Sequence, residues 1–494
     1  SLKSLEFPTY STRFSTRHFS KPSTIMSNTY GGDEINAVVL DAGSHTTRIG
    51  FAGDDFPKIV TPLAYAERND GQKYFGETIH FPRPDTEIKN ILEDLIITDW
   101  DAAVEQYTKA FESDMKIAYD EQPILITEPI WTTTTYRKQL VETFYEKFGF
   151  PALFLARLPT CISFQQGRAN CLVVDVGHDT VSATPVIDGI SLTRNLLRTH
   201  YAGKYLNLRV VDMLDSKFNL LLVPRFKIAS KVIKTYPDEP EYKLRELVPQ
   251  TSGLFDEFET VQILHEMKET LLEAPEKRLV LPNPTYNASA EAQYLSEKND
   301  RTFEFPPGQS VVFGIERFQI ADSVFEPQSY PFTDSGLEER FPAETGEIDF
   351  LDTYEDYKPV KRGGRKNELA QLSPPPGEKD KSGKNGPRGL LQLVSQTLAS
   401  VDIDLRLQVA HNVIVTGGSS LVPQLTERLY MELSQMNPGL KVRLHATGNT
   451  LERHNQLWIG GSVLALLGTF HQMWVTREEW EEAGSERILS QRFR

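Results

Sequence analysis

The chain has 494 residues, a formal net charge of −15 and a pI near 5.3. So acidic a balance excludes a protein whose whole surface binds nucleic acid, and the length calls for two or more lobes rather than one core. No apolar run approaches the roughly 18 residues of a membrane-spanning helix. The two cysteines, Cys161 and Cys171, lie in apolar surroundings and read as buried free thiols of a reducing compartment.

In chain order, residues 1–25 carry Arg13, Arg17 and Lys21 against one acid, Glu6. That composition belongs to mitochondrial transit peptides and equally to unstructured extensions. Met26 stands just ahead of the organised sequence, and 1–32 reads as a disordered extension. Then comes AVVLDAGSHTTRIGFAGDD, Ala37 to Asp55. An apolar run, an acid, a small-residue turn and a second strand-like run make a β-hairpin pattern. A turn built on Gly43 lets backbone N–H groups approach one point closely, which is how anions such as phosphate are held. Asp41, at the strand end, is placed to hold a hydrated Mg²⁺ beside such a phosphate. Taken alone, the pattern is also that of an ordinary hairpin.

Helical patterns follow at 100–120 and 133–148, with a strand at PILITEP between them. A helix ending over Cys161 to Gly167 leads into a second copy of the opening pattern, CLVVDVGHDTVSATPV, with Asp175 and Gly177 in the same places. Two Asp-x-Gly hairpins imply two related halves gripping one ligand from opposite sides. Residues 334–357 carry nine acids and one base, and the stretch that follows to Gly389 carries nine bases and three acids. The whole segment 326–389 reads as charged and disordered, either an import or interaction segment or a solvated linker. Further on, VIVTGGSSLVPQLTERL, Val413 to Leu429, is a buried strand, a Gly417-Gly418 turn and a helix start, where free N–H groups meet a ligand.

In this order the three motifs resemble the phosphate 1, phosphate 2 and adenosine motifs of the actin/Hsp70/sugar-kinase superfamily. GFAGDDFP (Gly50 to Pro57), LITEP (Leu125 to Pro129), WIGGS (Trp458 to Ser462) and TFHQMWVTREEWEEAG (Thr469 to Gly484) resemble the actin family in particular. YGGDE (Tyr30 to Glu34), DIDLR (Asp402 to Arg406) and the terminal RFR resemble a nuclear branch of that family. The resemblance implies an α/β, actin-like ATPase-domain fold with two lobes around a nucleotide cleft. Its divisions would be a first lobe at 33–167, a second at 168–325, the insert at 326–389, and a part at 390–494 completing both lobes. A C-terminal helix is expected near Gly461 to Trp474.

The implied cofactors are ATP and Mg²⁺. Gly43, Ser44, His45 and Arg48 would face the phosphates from one hairpin, and Gly177, His178 and Asp179 from the other. Asp41 and Asp175 would hold Mg²⁺ through water, and Lys268, Glu269, Gly417, Gly418 and Ser419 would meet the adenosine. The chain departs from the family pattern at several of these places. His45 and Arg48 replace a glycine and a lysine, His178-Asp179 replaces Asp-Gly, and His454 replaces the lysine near the adenine. Leu158 and Ser182 stand where actins place the Gln and His that position the attacking water, so ATP is expected to bind with little or no hydrolysis. Residues 64–77 shorten the loop through which actins build filaments. Phe164, Gly167, Val463, Leu464, Leu467 and Met473 match a partner groove.

The resemblance implies a nuclear scaffold subunit that assembles with actin onto a helicase-SANT-associated helix, with histones or the nucleosome as further partners. The complexes concerned would acetylate histones or remodel chromatin in transcription and DNA repair. A filament-forming actin-like ATPase is the alternative, and a sugar-kinase-like phosphotransferase a third reading, for which Asp179 would be the base.

Overall fold

The first hairpin forms where the sequence places it. In the computed structural model, which describes residues 36–341 and 389–493 apart from 118, 247–250 and 281–283, strand β1 (Val38–Ala42) pairs antiparallel with β2 (Thr46–Phe51), setting Asp41 opposite Arg48. The expected extension 1–32 lies outside the described residues. The Gly43 N–H donates to the Thr46 carbonyl at 3.1 Å and closes the turn. Strands β3 (Ile59–Pro62), β4 (Ile124–Glu128) and β5 (Ala152–Arg157) extend the sheet, in the order Val475–Thr476, β5, β4, β1, β2, β3. β4 lies parallel to both β1 and β5 and is buried along its whole length, which explains its unbroken apolar reading.

Helix α1 (Leu158–Gln165) carries the chain from β5 to a second sheet. There β6 (Cys171–Val176) pairs antiparallel with β7 (Val181–Ile187) and parallel with β8 (Val413–Thr416). This repeats the plan of β1, β2 and β4, so the hairpin duplication seen in the sequence is a duplication of architecture. Helix α2 (Gly253–Leu271), capped by the Ser252 hydroxyl, packs its Ile263, Leu264, Met267 and Leu271 into the second lobe's core.

Helix α3 (Thr450–Leu466) begins at a capping box between Asn449 and Glu452. The C-terminal helix expected near Gly461 to Trp474 therefore starts eleven residues earlier and stops at Leu466. Its Trp458 is fully buried and donates from Nε1 to the Val39 carbonyl at 3.0 Å. Gly460 lies so close to α1 that a Cβ would stand 2.3 Å from the Cys161 carbonyl oxygen, and one on Gly461 would stand 3.0 Å from Val39 Cγ1. The two glycines of WIGGS thus let α3 press on α1 and on the first sheet at once. Cys161 and Cys171 are buried and unpaired, and burial raises both thiols, Cys171 to about 12.

Other expectations shift in detail. The helices predicted at 100–120 and 133–148 start as α-helix but widen into π turns over Lys109–Met115 and Thr143–Phe148, each stopped by a left-handed residue, Lys116 and Gly149. The segment expected to be disordered from 326 is folded through Phe341. Ser335–Arg340 is helical, and Phe332 and Phe341 pack on Tyr201 and Tyr205. The remainder, 342–388, lies outside the described residues. The shortened loop is a tight turn, with the Arg68 N–H donating to the Gln72 carbonyl at 2.9 Å between Ala64–Arg68 and Lys73–Tyr74. This small sheet touches α2 across the cleft: the Ser252 hydroxyl donates to the Thr86 carbonyl at 2.7 Å, and His80 meets Glu259 at 2.8 Å. Among the described residues no helix is long and apolar enough to cross a membrane.

Gly460→Ala tests the helix contact. Overpacking of this kind costs about 1–3 kcal/mol, so the thermal unfolding midpoint of the variant should fall clearly below that of the parent chain.

Candidate functional site

The two hairpin turns and the turn after β8 meet at the bottom of the cleft. Gly417 sits at φ +89°, and a Cβ there would lie 2.4 Å from the Val176 carbonyl oxygen and 2.5 Å from Asp175 Oδ1. Only glycine fits this approach. Gly418 lies against the ring of His454, whose Cε1 would be 3.1 Å from an added Cβ. The Ser419 hydroxyl donates to the Gly177 carbonyl at 2.8 Å. The expected adenosine turn is therefore tied to the second phosphate hairpin, and part of Ser419's hydrogen-bonding capacity is already used inside the protein.

The two expected metal-side acids differ in what they have left to offer. Asp41 is 1% exposed and partnered at both oxygens: Oδ1 accepts from the Thr127 hydroxyl at 2.7 Å and Oδ2 faces Arg48 at 3.4 Å. Arg48 is further fixed by donating from Nε to Asn455 Oδ1 at 3.1 Å. Asp175 Oδ1, by contrast, is buried with no hydrogen-bond partner among the described residues. Desolvation, reinforced by the negative Asp41, raises its carboxyl from 3.8 to about 7 despite Arg48. An orphaned carboxylate oxygen in a glycine-lined hollow fits a hydrated Mg²⁺, with Asp175 its first holder. When bound, such an ion would neutralise charge on a phosphate chain.

Around this floor stand basic groups. The rings of His45 and His265 are 4.6 Å apart, His45 and His178 5.2 Å, and His178 and His265 5.5 Å. Desolvation, then the charge of Lys268, keeps all three neutral, lowering His45 to about 4, His265 to about 2 and His178 well below its usual value. Lys268 itself donates to the Gly203 carbonyl at 3.0 Å and is lowered by desolvation to about 8. Glu269, its neighbour, is exposed.

Asp179 is raised, first by desolvation, and takes a hydrogen bond from the Asp94 backbone across the cleft. Sequence reasoning missed Lys204 and His265. Lys204 opens the helix Gly203–Phe218, and its charge acts on both His178 and Asp179. The signal for it was only a lone lysine after Ala202-Gly203.

Leu158 is the first residue of α1, 7% exposed, in a cluster with Leu95, Ile130, Trp131 and Leu196. With Ser182 it lines a small pocket that reaches Asp175. Beside Asp175 this pocket is therefore an apolar wall carrying two hydroxyls, those of Ser182 and Thr184.

The expected groove residues divide. Phe164 and Leu467 pack from outside on the cluster around Trp458, Phe164 lies 3.4 Å from a Cβ placed on Gly189, and Met473 is 43% exposed. Val463 is half-buried and Gly167 exposed. Leu464 is a correction: at 4% exposure it belongs to the core and presents nothing to a partner. Ile190 and Leu466, not foreseen, are exposed apolar residues on the elements beside Phe164 and Leu467.

Below the raised value of Asp175, folding keeps a proton that the unfolded chain releases near 3.8, so stability of the ligand-free protein falls as pH rises towards about 7 and is then constant. Asp175→Asn should remove this cost. In the absence of Mg²⁺ and nucleotide, its melting midpoint should gain on the parent's progressively between pH 4 and about 7 and hold that lead above.

The actin family model matches residues 32–494. The chain is 54% identical to actin-related protein 4 of Debaryomyces hansenii over 483 residues, covering 94% of this chain and 98% of that protein. It is 53% identical to actin-related protein 4 of Candida albicans and 35% identical to that of Saccharomyces cerevisiae, again over 94% of this chain and 98% of each relative.

Proposed function

The chain belongs to the actin family, and on that premise we propose that it is a nuclear scaffold subunit which holds ATP·Mg²⁺ as a structural ligand and hydrolyses it slowly or not at all. The observation that supports this reading is the apolar wall at Leu158, which shares a pocket with Asp175. Phosphoryl transfer to water needs the water held and polarised. A leucine side chain does neither, and Ser182, paired opposite Asp175, offers a short hydroxyl where an imidazole would reach further. Binding needs only what remains: converging N–H groups, Arg48, Asp175 and the Gly417-Gly418 slot. A ligand at about 1,000 times its dissociation constant stabilises the state that holds it by roughly 4 kcal/mol. The nucleotide would thus act as a clamp on both lobes.

The closed shape would then serve assembly. Its partners would be actin and a helicase-SANT-associated helix of a remodelling ATPase or acetyltransferase scaffold, with histones or the nucleosome as further contacts. In this role the protein would contribute to histone acetylation, chromatin remodelling, transcription regulation and DNA repair. The tight turn where the family resemblance places a filament loop favours a non-filament role. Phe164, Ile190, Leu466, Leu467 and Met473 would supply the apolar contacts for the helix.

Purified protein should retain ATP and release no phosphate over hours. Leu158→Gln with Ser182→His should raise phosphate release at least about tenfold, since restoring water positioning and a general base contributes on the order of 10²-fold or more. An empty site in the purified protein, or ATP-dependent pelleting, would overturn the reading. For the groove, Leu466→Asp should abolish capture of a synthetic partner helix while retained nucleotide stays constant. Unchanged capture would move the docking surface elsewhere.

A further inference from the structure

We propose that His45, His178 and His265 form a binding site for a transition-metal ion of the zinc type, spanning the two lobes within the cleft. The three residues come from three separate elements: the turn between β1 and β2, the turn after β6, and helix α2. Their candidate ligand nitrogens all lie within 4.8 Å of one another. A tetrahedral zinc ion with Zn–N bonds of about 2.0–2.1 Å would hold them about 3.3 Å apart. The rings must therefore converge by at most about 1.5 Å, a distance side-chain rotation covers.

The rings are free to do so. None of them makes a side-chain hydrogen bond to another described residue, and His265 Nε2 is buried without any partner. A buried imidazole nitrogen left unpaired costs free energy that a metal bond would offset. His45 keeps one side open to solvent, which supplies an entry path. Lys268, whose charge acts on all three rings, directs its ammonium at the Gly203 carbonyl. Three imidazoles and no protein carboxylate favour zinc, cobalt or copper over Mg²⁺, which takes oxygen donors. Three protein ligands also leave a fourth position for water or another oxygen donor. An ion held here would bind the first lobe to the second through His45, independently of any nucleotide.

The test uses the full chain, freed of metal by a chelator and of nucleotide. Titration with Co²⁺ should give one equivalent of a low-coordinate complex with strong visible absorption, displaced by Zn²⁺. His45→Gln, His178→Gln and His265→Gln should each weaken Zn²⁺ binding at least about tenfold, and Zn²⁺ should raise the melting midpoint of the parent but not of the three variants. Cobalt that stays octahedral, or variants that bind Zn²⁺ like the parent, would overturn the proposal. Binding of a fluorescent ATP analogue with Mg²⁺ to the same preparations reads the nucleotide role separately, so either idea can fail while the other stands.

Discussion

Two carboxylates of like charge face one hollow from two different sheets, and the rest of the cleft answers that repulsion. Asp41 is neutralised from within, by Arg48 and the Thr127 hydroxyl. Asp175 is not, and its Oδ1 has no internal partner. A buried acid in that position either keeps its proton or acquires a cation. The packing of α3 against α1 and the first sheet, through Gly460, Gly461 and Trp458, keeps the two acids at this spacing. The fold therefore carries an unmet electrostatic requirement at its centre.

The same hairpin plan serves two chemical ends. In the first copy Arg48 rises opposite Asp41; in the second Ser182 rises opposite Asp175. The duplicated backbone closes both turns alike, Gly43 N–H onto the Thr46 carbonyl and Gly177 N–H onto the Thr180 carbonyl, while the side chains differ. Leu158, Trp131 and Ile130 form an apolar wall against the open carboxylate of Asp175, while the three histidines cluster where the two turns and α2 meet.

Much of this was legible in the sequence. Both Asp-x-Gly hairpins, the Gly417-Gly418 turn and the buried cysteines are local signals, and local signals survive into the fold. What escaped depended on distance in the chain. His265 is far from His45 and His178 in sequence and meets them only because α2 lies over the cleft. Phe332 and Phe341 are embedded in an acidic stretch, and their burial requires Tyr201 and Tyr205 from another helix. The widened turns at Lys109–Met115 and Thr143–Phe148 preserve the apolar pattern while changing the hydrogen-bond step, so periodicity could not register them. Leu464 entered the groove set through family resemblance, and its burial follows from α3 packing on both α1 and the first sheet.

The contacts between the segment 64–90 and α2 join the two lobes directly. Ser252 to Thr86 and His80 to Glu259 close the cleft at the rim, far from the acids at its floor. Opening the cleft between these elements therefore requires two polar contacts, at separate points of the chain, to break together.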